Sequence, residues 1–252
     1  MQTRRAFLGR CGAGAAVWTA LAGGDWSPFS ALAAEFDVGQ LGELAAFAIE
    51  RAKAAGATYA DIRINRYRNQ RVGFRVQSDR ATGKPVEVPS VSDTGSFGFG
   101  LRVLADGAWG FSASHEVTRD AIARAALEAV EIARANAPLR LQPIKLAATP
   151  AYRDSYRTKV VTDPFAVPIE QKLDLLRSVA TETRKVAGVF SVMGTIGVHL
   201  EDRLFVSSEG SVIEQHVYQV SPEVTATAIQ TDRKSTRLNS SHCVTSRMPS
   251  SA

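Results

Sequence analysis

Between positions 95 and 114 the chain alternates with the period of two that marks a strand with one buried face. Phe97, Phe99, Leu101 and Val103 fall on one side. Ala105-Asp106-Gly107-Ala108 then supplies an Asp-Gly pair, which takes positive φ readily and favours a tight reversal, and residues 109–114 read as the returning strand. Gly98 and Gly100 lie on the opposite face, where the missing side chains would let another backbone or a ligand approach closely. A twisted or bulged strand accounts for the same two glycines.

The period changes on either side of this predicted hairpin. Asp37 is placed to cap a helix whose Leu41, Leu44, Ala45, Ala48 and Ile49 share a face, and Gly56 ends it. Ile62 and Ile64 alternate with polar residues over 59–67, and Val72, Phe74 and Val76 alternate again beyond Asn69-Gln70. This describes one long bent strand or a hairpin, with Arg63, Arg66, Arg68, Arg71 and Arg75 mostly on a solvated face. Residues 77–93, with Gly83, Pro85 and Pro89, read as a long loop. A second helix is predicted over 118–135, stopped by Pro138 and Pro143. After a proline-punctuated stretch, Pro168 suits the first turn of a third helix bearing Leu173, Leu176, Val179 and Ala180. Residues 189–229 return to strand character, with turns expected at Glu201-Asp202 and Ser208-Glu209-Gly210. Helices set among antiparallel hairpins imply an α+β fold with about three packed helices rather than a doubly wound parallel sheet.

The two ends differ in kind from this body. Arg4-Arg5-Ala6-Phe7-Leu8 precedes an Ala/Gly-rich apolar run, the order of a secretory signal, and the paired arginines followed by Phe7 and Leu8 resemble a twin-arginine export signal. The run is too short and too poor in large residues for a membrane span, and Ala31-Leu32-Ala33 offers small-residue cleavage after Ala33. Residues 1–33 are therefore expected to direct export to the periplasm. From Asp232 the chain carries six serines and no apolar periodicity. Its Lys234–His242 stretch is similar to translated sequencing-adapter read-through, so 232–252 is expected to be non-native. That leaves 34–231 as the domain.

Trimming the ends changes the charge. The whole chain has 30 basic and 25 acidic side chains. Three of the basic ones lie in the leader and four in the tail, with one acid in each, which leaves 23 of each sign in the body and a net charge of zero. A nucleic-acid partner loses its main support. Both cysteines, Cys11 and Cys243, also fall in the ends, so the body must rest on its apolar core rather than on disulfides.

Most catalytic templates are missing. The body has no cysteine nucleophile, no Gly-x-Ser-x-Gly elbow and no Gly-x-x-x-x-Gly-Lys phosphate loop. Gly98-Phe99-Gly100 lacks the third glycine of a dinucleotide fingerprint. His115-Glu116-Val117-Thr118-Arg119-Asp120 has the outline of a metal motif with aspartate in place of the second histidine, and reads better as a strand-to-helix connection capped by Thr118. His199 and His216 sit in strand-like sequence far from any paired acid and are expected to be hydrogen-bonded structural residues.

The run containing Gly98, Gly100, Arg102, Asp106, Gly107, Trp109, Gly110 and Phe111 resembles the N-terminal domain of the TldD/PmbA peptidases, and its Ala-Trp-Gly-Phe ending is closer to the TldD subunit. The segment Phe205-Val206-Ser207-Ser208-Glu209-Gly210-Ser211 also resembles that family. The resemblance implies a metallopeptidase acting on small or unfolded peptides, with zinc held by a His-Glu-x-x-x-His motif in a C-terminal domain. It also implies assembly as a homo- or hetero-oligomer with a related TldD/PmbA subunit. No such motif occurs in these 252 residues, so catalytic and metal-ligating residues and cofactor are expected to be none in this chain, which is expected to be inactive alone. Alternatives are a non-catalytic PmbA-like (TldE-like) partner subunit and an independent periplasmic binding module. A free sheet edge would suit an extended peptide added as a strand.

Overall fold

The computed structural model describes residues 36–79, 82–232 and 235–240, with side chains up to 229. The expected export signal, with Arg4, Arg5, Phe7, Leu8 and the expected cleavage at Ala33, lies outside the described residues.

Helix α1 (Val38–Ala54) starts where expected: Asp37 accepts the Gly39 N–H at 2.9 Å, and Gly56 takes φ +104° after its end. It is followed by β1 (Tyr59–Ser78), β2 (Pro85–Ala105) and β3 (Ala108–Ser114). Helix α2 (Arg119–Asn136) is capped by Thr118 and runs into a short 3₁₀ turn, Ala137–Leu139. Then come β4 (Arg153–Arg157), α3 (Ile169–Thr183), β5 (Val189–Ser207), β6 (Val212–Asp232) and β7 (Ser235–Ser240). The strands form one sheet in the order β3-β2-β1-β5-β6-β4, with β7 also on β6. All neighbours are antiparallel except β4 and β6. The fold is α+β, as the sequence predicts.

The three α-helices of the described residues lie on one face. Under α1 and α2 are Ile62, Ile64, Phe99, Leu101, Val103 and Leu204, and under α3 are Val72, Phe74, Val76, Val192, Ile196 and Val198, in two separate cores. Even-numbered positions of β1 build both. The interval between them is filled on the same face by Arg66, Arg68 and Gln70, which cannot join either core. Arg66 pairs with Asp202 at 2.7 Å and Arg68 with Asp93 at 2.9 Å, and Gln70 donates to Asp93 at 2.9 Å. Lys172 of α3, 5 % exposed, donates to Gln70 Oε1 and to the Pro164 carbonyl at 2.7 Å.

Four expectations need correction. Arg66 and Arg68 are not on the solvated face; they face the helices, half-buried in ion pairs. The predicted loop over 77–93 is mostly strand: β1 runs to Ser78, Asp79 holds a reversal by accepting from Thr82 at 2.7 Å, and β2 begins at Pro85. Its prolines fit because they occupy positions whose missing N–H points off the sheet. Glu201-Asp202 is no turn but the middle of β5, where Asp202 is 3 % exposed. His216 is not far from an acid, since Asp202 sits directly across on the neighbouring strand and binds its Nδ1. Residues 235–240 pair with β6 as β7. The alternative left open for 59–76 resolves as one strand.

Candidate functional site

Among the described residues, the other face of the sheet carries no helix. It is built by odd positions of β1 and β5 and even positions of β2, so side chains far apart in sequence meet across the ladders. Asp61, fully buried, accepts from Arg102 Nε and Nη2 at 2.9 and 2.7 Å through Oδ2, while its Oδ1 lies 3.2 Å from Arg63 Nη1. One carboxylate therefore faces two guanidiniums. Burial and the adjacent Asp61 charge push the Tyr59 hydroxyl up to about 12. At Arg102 burial works against the charge, but the Asp61 bonds outweigh it and raise the pKa.

Next along the face, Asn65 Nδ2 donates to the Tyr67 hydroxyl at 2.5 Å, and that hydroxyl donates to Glu201 at 3.1 Å. Arg203 joins Glu201 and donates to Gln215 at 3.2 Å. Asn65 Oδ1 and Arg203 Nε are buried there with no hydrogen-bond partner. Tyr67 stacks on His199 at 5.8 Å, and His199 Nδ1 is 2.6 Å from Asn69 Oδ1, the structural setting expected for that histidine. Asn65, Tyr67, Glu201 and Arg203 escaped sequence reasoning because the register of β1 against β5, not spacing along the chain, brings them together.

A groove of about 590 Å³ opens beside this network, with Arg63, Asn65 and Tyr67 on one side, Phe111, Ser114 and His115 on the other, and Gly98 and Gly100 between. A Cβ on Gly98 would come within 2.8 Å of the Ser114 carbonyl, and one on Gly100 within 3.0 Å of the Phe111 ring. The close approach expected at both glycines is made by the hairpin's own returning strand. A shallower depression of about 340 Å³ lies further along, around Gly197 and His199.

The remaining residues of the hairpin motif shape the same corner. Asp106 and Gly107 take φ +50° and +70° in the reversal. Trp109 stands edge-on to Tyr59 at 5.8 Å with the Arg102 guanidinium 4.8 Å from its ring centre. Gly110 is where α2 crosses the hairpin: an added Cβ would lie 1.9 Å from the Ala129 carbonyl oxygen. His115 to Asp120 is the strand-to-helix connection. Glu116 reaches Arg124 at 3.5 Å and Thr118 caps α2. Among the described residues no three His, Cys, Asp or Glu side chains converge as a ligand set.

Two family models match the chain, one described as PmbA/TldA metallopeptidase domain 1 over residues 87–133 and one as the central domain of the same family over 162–244. They cover 47 and 83 residues, 130 of the 252 in all. No match is found among curated proteins. Two solved structures share the fold with a TM-score of 0.53 each: a proposed modulator of DNA gyrase from Bacteroides thetaiotaomicron, 16% identical, and another from Thermotoga maritima, 15% identical. Each alignment covers 79% of this chain, but only 43% and 42% of those chains. TldE from Thermococcus kodakarensis aligns over 75% of this chain and 39% of its own at 16% identity, with a TM-score of 0.43. The chain thus spans less than half the length of the structures it resembles. Among the described residues no helix is long and apolar enough to cross a membrane.

Proposed function

Because the chain belongs to the PmbA/TldD family, we propose that it is the N-terminal part of an exported metallopeptidase similar to TldD, whose substrates are small or unfolded peptides. The observation that carries this reading is the match of two successive metallopeptidase domain models on a single sheet. Hydrolysis is assigned to the intact parent and to none of the described residues. Their contribution is to the substrate: an open sheet face, a groove with a glycine floor, and a guanidinium in excess of the carboxylate it shares. Export by the twin-arginine route to the periplasm, and oligomeric assembly with a related subunit, belong to the same proposal. They are supported by Arg4-Arg5-Ala6-Phe7-Leu8 and by family membership respectively.

The test is a long sequencing read across the locus downstream of the codon for Thr231, followed by expression of the intact product and assay of peptide hydrolysis with and without a chelator. An in-frame His-Glu-x-x-x-His together with chelator-sensitive hydrolysis is the expected result. A continuing frame without that motif makes the chain part of a non-catalytic partner subunit. A stop codon at the same place makes it a separate binding module.

A further inference from the structure

The longest unpaired backbone in the sheet lies beside the groove. β3 covers β2 only from Phe99 to Ala105; from Phe97 back to Pro85, β2 has β1 on one side and no strand on the other among the described residues. Hydrogen bonds elsewhere tell which groups point outward. Leu104 O accepts the Thr58 N–H at 2.7 Å, and Ala60 O accepts the Ser208 N–H at 2.8 Å. Even positions of β2 therefore face β1, and odd positions face the open edge. Val91, Asp93, Gly95 and Phe97 present both N–H and C=O there, whereas Pro85 and Pro89 present C=O alone. The prolines blunt the far half of the edge and leave residues 91–97, about 23 Å of strand, open.

Only an extended chain can satisfy donors and acceptors spaced in this way. Ser96 and Phe97 belong both to this edge and to the groove wall, so a strand laid along 91–97 leads into the groove. Charge sets its direction. Asp61 is neutralised by the two bonds from Arg102, which leaves Arg63, 45% exposed, as a cation in excess on the groove wall. Among the described residues no carboxylate lines the groove to receive an ammonium. A strand running parallel to β2 would bring its C-terminus to that end.

We propose that the edge at residues 91–97 takes an extended peptide as an added parallel strand, with its terminal carboxylate held by Arg63 in the groove floored by Gly98 and Gly100. This rests on the reading that the family's substrates are peptides, and it assigns this part of the protein a binding role separate from hydrolysis.

The test uses the full chain and a fluorescein-labelled heptapeptide of alternating Ala and Thr, prepared as the free acid, as the C-terminal amide, and as a free acid N-methylated at alternate residues. Fluorescence anisotropy is expected to show the acid binding about tenfold more tightly than the amide, the size of one charge-assisted hydrogen bond. Arg63→Gln should abolish that preference, so that acid and amide bind alike. Val91→Pro, which removes one outward N–H and no bond to β1, should weaken acid and amide alike, and N-methylation should do so with no change to the protein. Equal affinity for acid and amide, indifference to N-methylation, no binding, or self-association of the chain in place of binding each overturns the inference. Hydrolysis by the intact parent without edge binding would sink this inference alone. Edge binding with no hydrolysis by the parent would sink the peptidase reading alone.

Discussion

The two faces of the sheet are made by the same strands and differ only in which alternate residues they show. Under the helices, β1 presents Ile62, Ile64, Val72, Phe74 and Val76, each 3 % exposed or less. On the open face it presents Asp61, Arg63, Asn65, Tyr67 and Asn69, tied into ion pairs and hydrogen bonds along the strand and across the ladders. A one-residue slip would exchange the two sets, so the apolar cores fix the register and the register in turn assembles the polar network. Stability is thus concentrated on one face. The other face and its neighbouring edge are left to meet a ligand.

Substitutions can break this contrast, the largest effect coming from the covered face. Ile62→Ala, at a fully buried site in the larger core, should cost about 2–5 kcal/mol, read as a shift in urea midpoint. Gly110→Ala forces α2 off the hairpin and should cost about 1–3 kcal/mol, with lost contacts between Trp109 and Tyr59 visible in the near-ultraviolet circular dichroism.

The charged belt between the cores gives a smaller, pH-dependent effect. Burial of Asp93 opposes its ionisation, but hydrogen bonds from Arg68 and Gln70 outweigh this and hold its carboxyl below the usual value. A carboxyl depressed in the folded state stabilises the fold above its unfolded value, about 3.9, and that stabilisation is lost as pH falls through the folded value. Asp93→Asn should therefore lower stability near neutrality and flatten the decline below about pH 4, as measured by urea titration at several pH values. The smallest effect belongs to the open face. Arg63→Gln should change stability by less than about 0.5 kcal/mol while removing the preference for a free peptide carboxylate.

The sequence carried the covered face better than the open one. Helix caps at Asp37 and Thr118, the Asp-Gly reversal and the alternation of Ile62 and Ile64 are local signals, and each element forms where they place it. Residues 85–93 have the composition of a loop because two prolines sit in an unpaired edge; only the pairing with β1 shows that their missing N–H groups cost the ladder nothing. The pairs Arg66 with Asp202, His216 with Asp202, and Tyr67 with Glu201 join residues 136, 14 and 134 positions apart. No motif spacing records them. Of the eight residues in the hairpin motif, Gly98, Gly100, Gly107 and Gly110 owe their identity to turn geometry or close backbone and ring contacts, and Arg102 and Trp109 to packing around Asp61 and Tyr59. A motif legible enough to identify the family is thus chiefly a record of how the corner beside the groove is built.

Amide hydrogen exchange along β2, followed by NMR with and without the free-acid heptapeptide, tests the division of labour most directly. Ser90, Ser92, Thr94 and Ser96 should be protected throughout by their bonds to β1, while Val91, Asp93, Gly95 and Phe97 should exchange rapidly in the free chain and become protected only with peptide. If the two sets exchange alike in the free chain, or if peptide protects neither the edge nor the groove beside Gly98, the open side of this sheet is not where the protein meets its ligand.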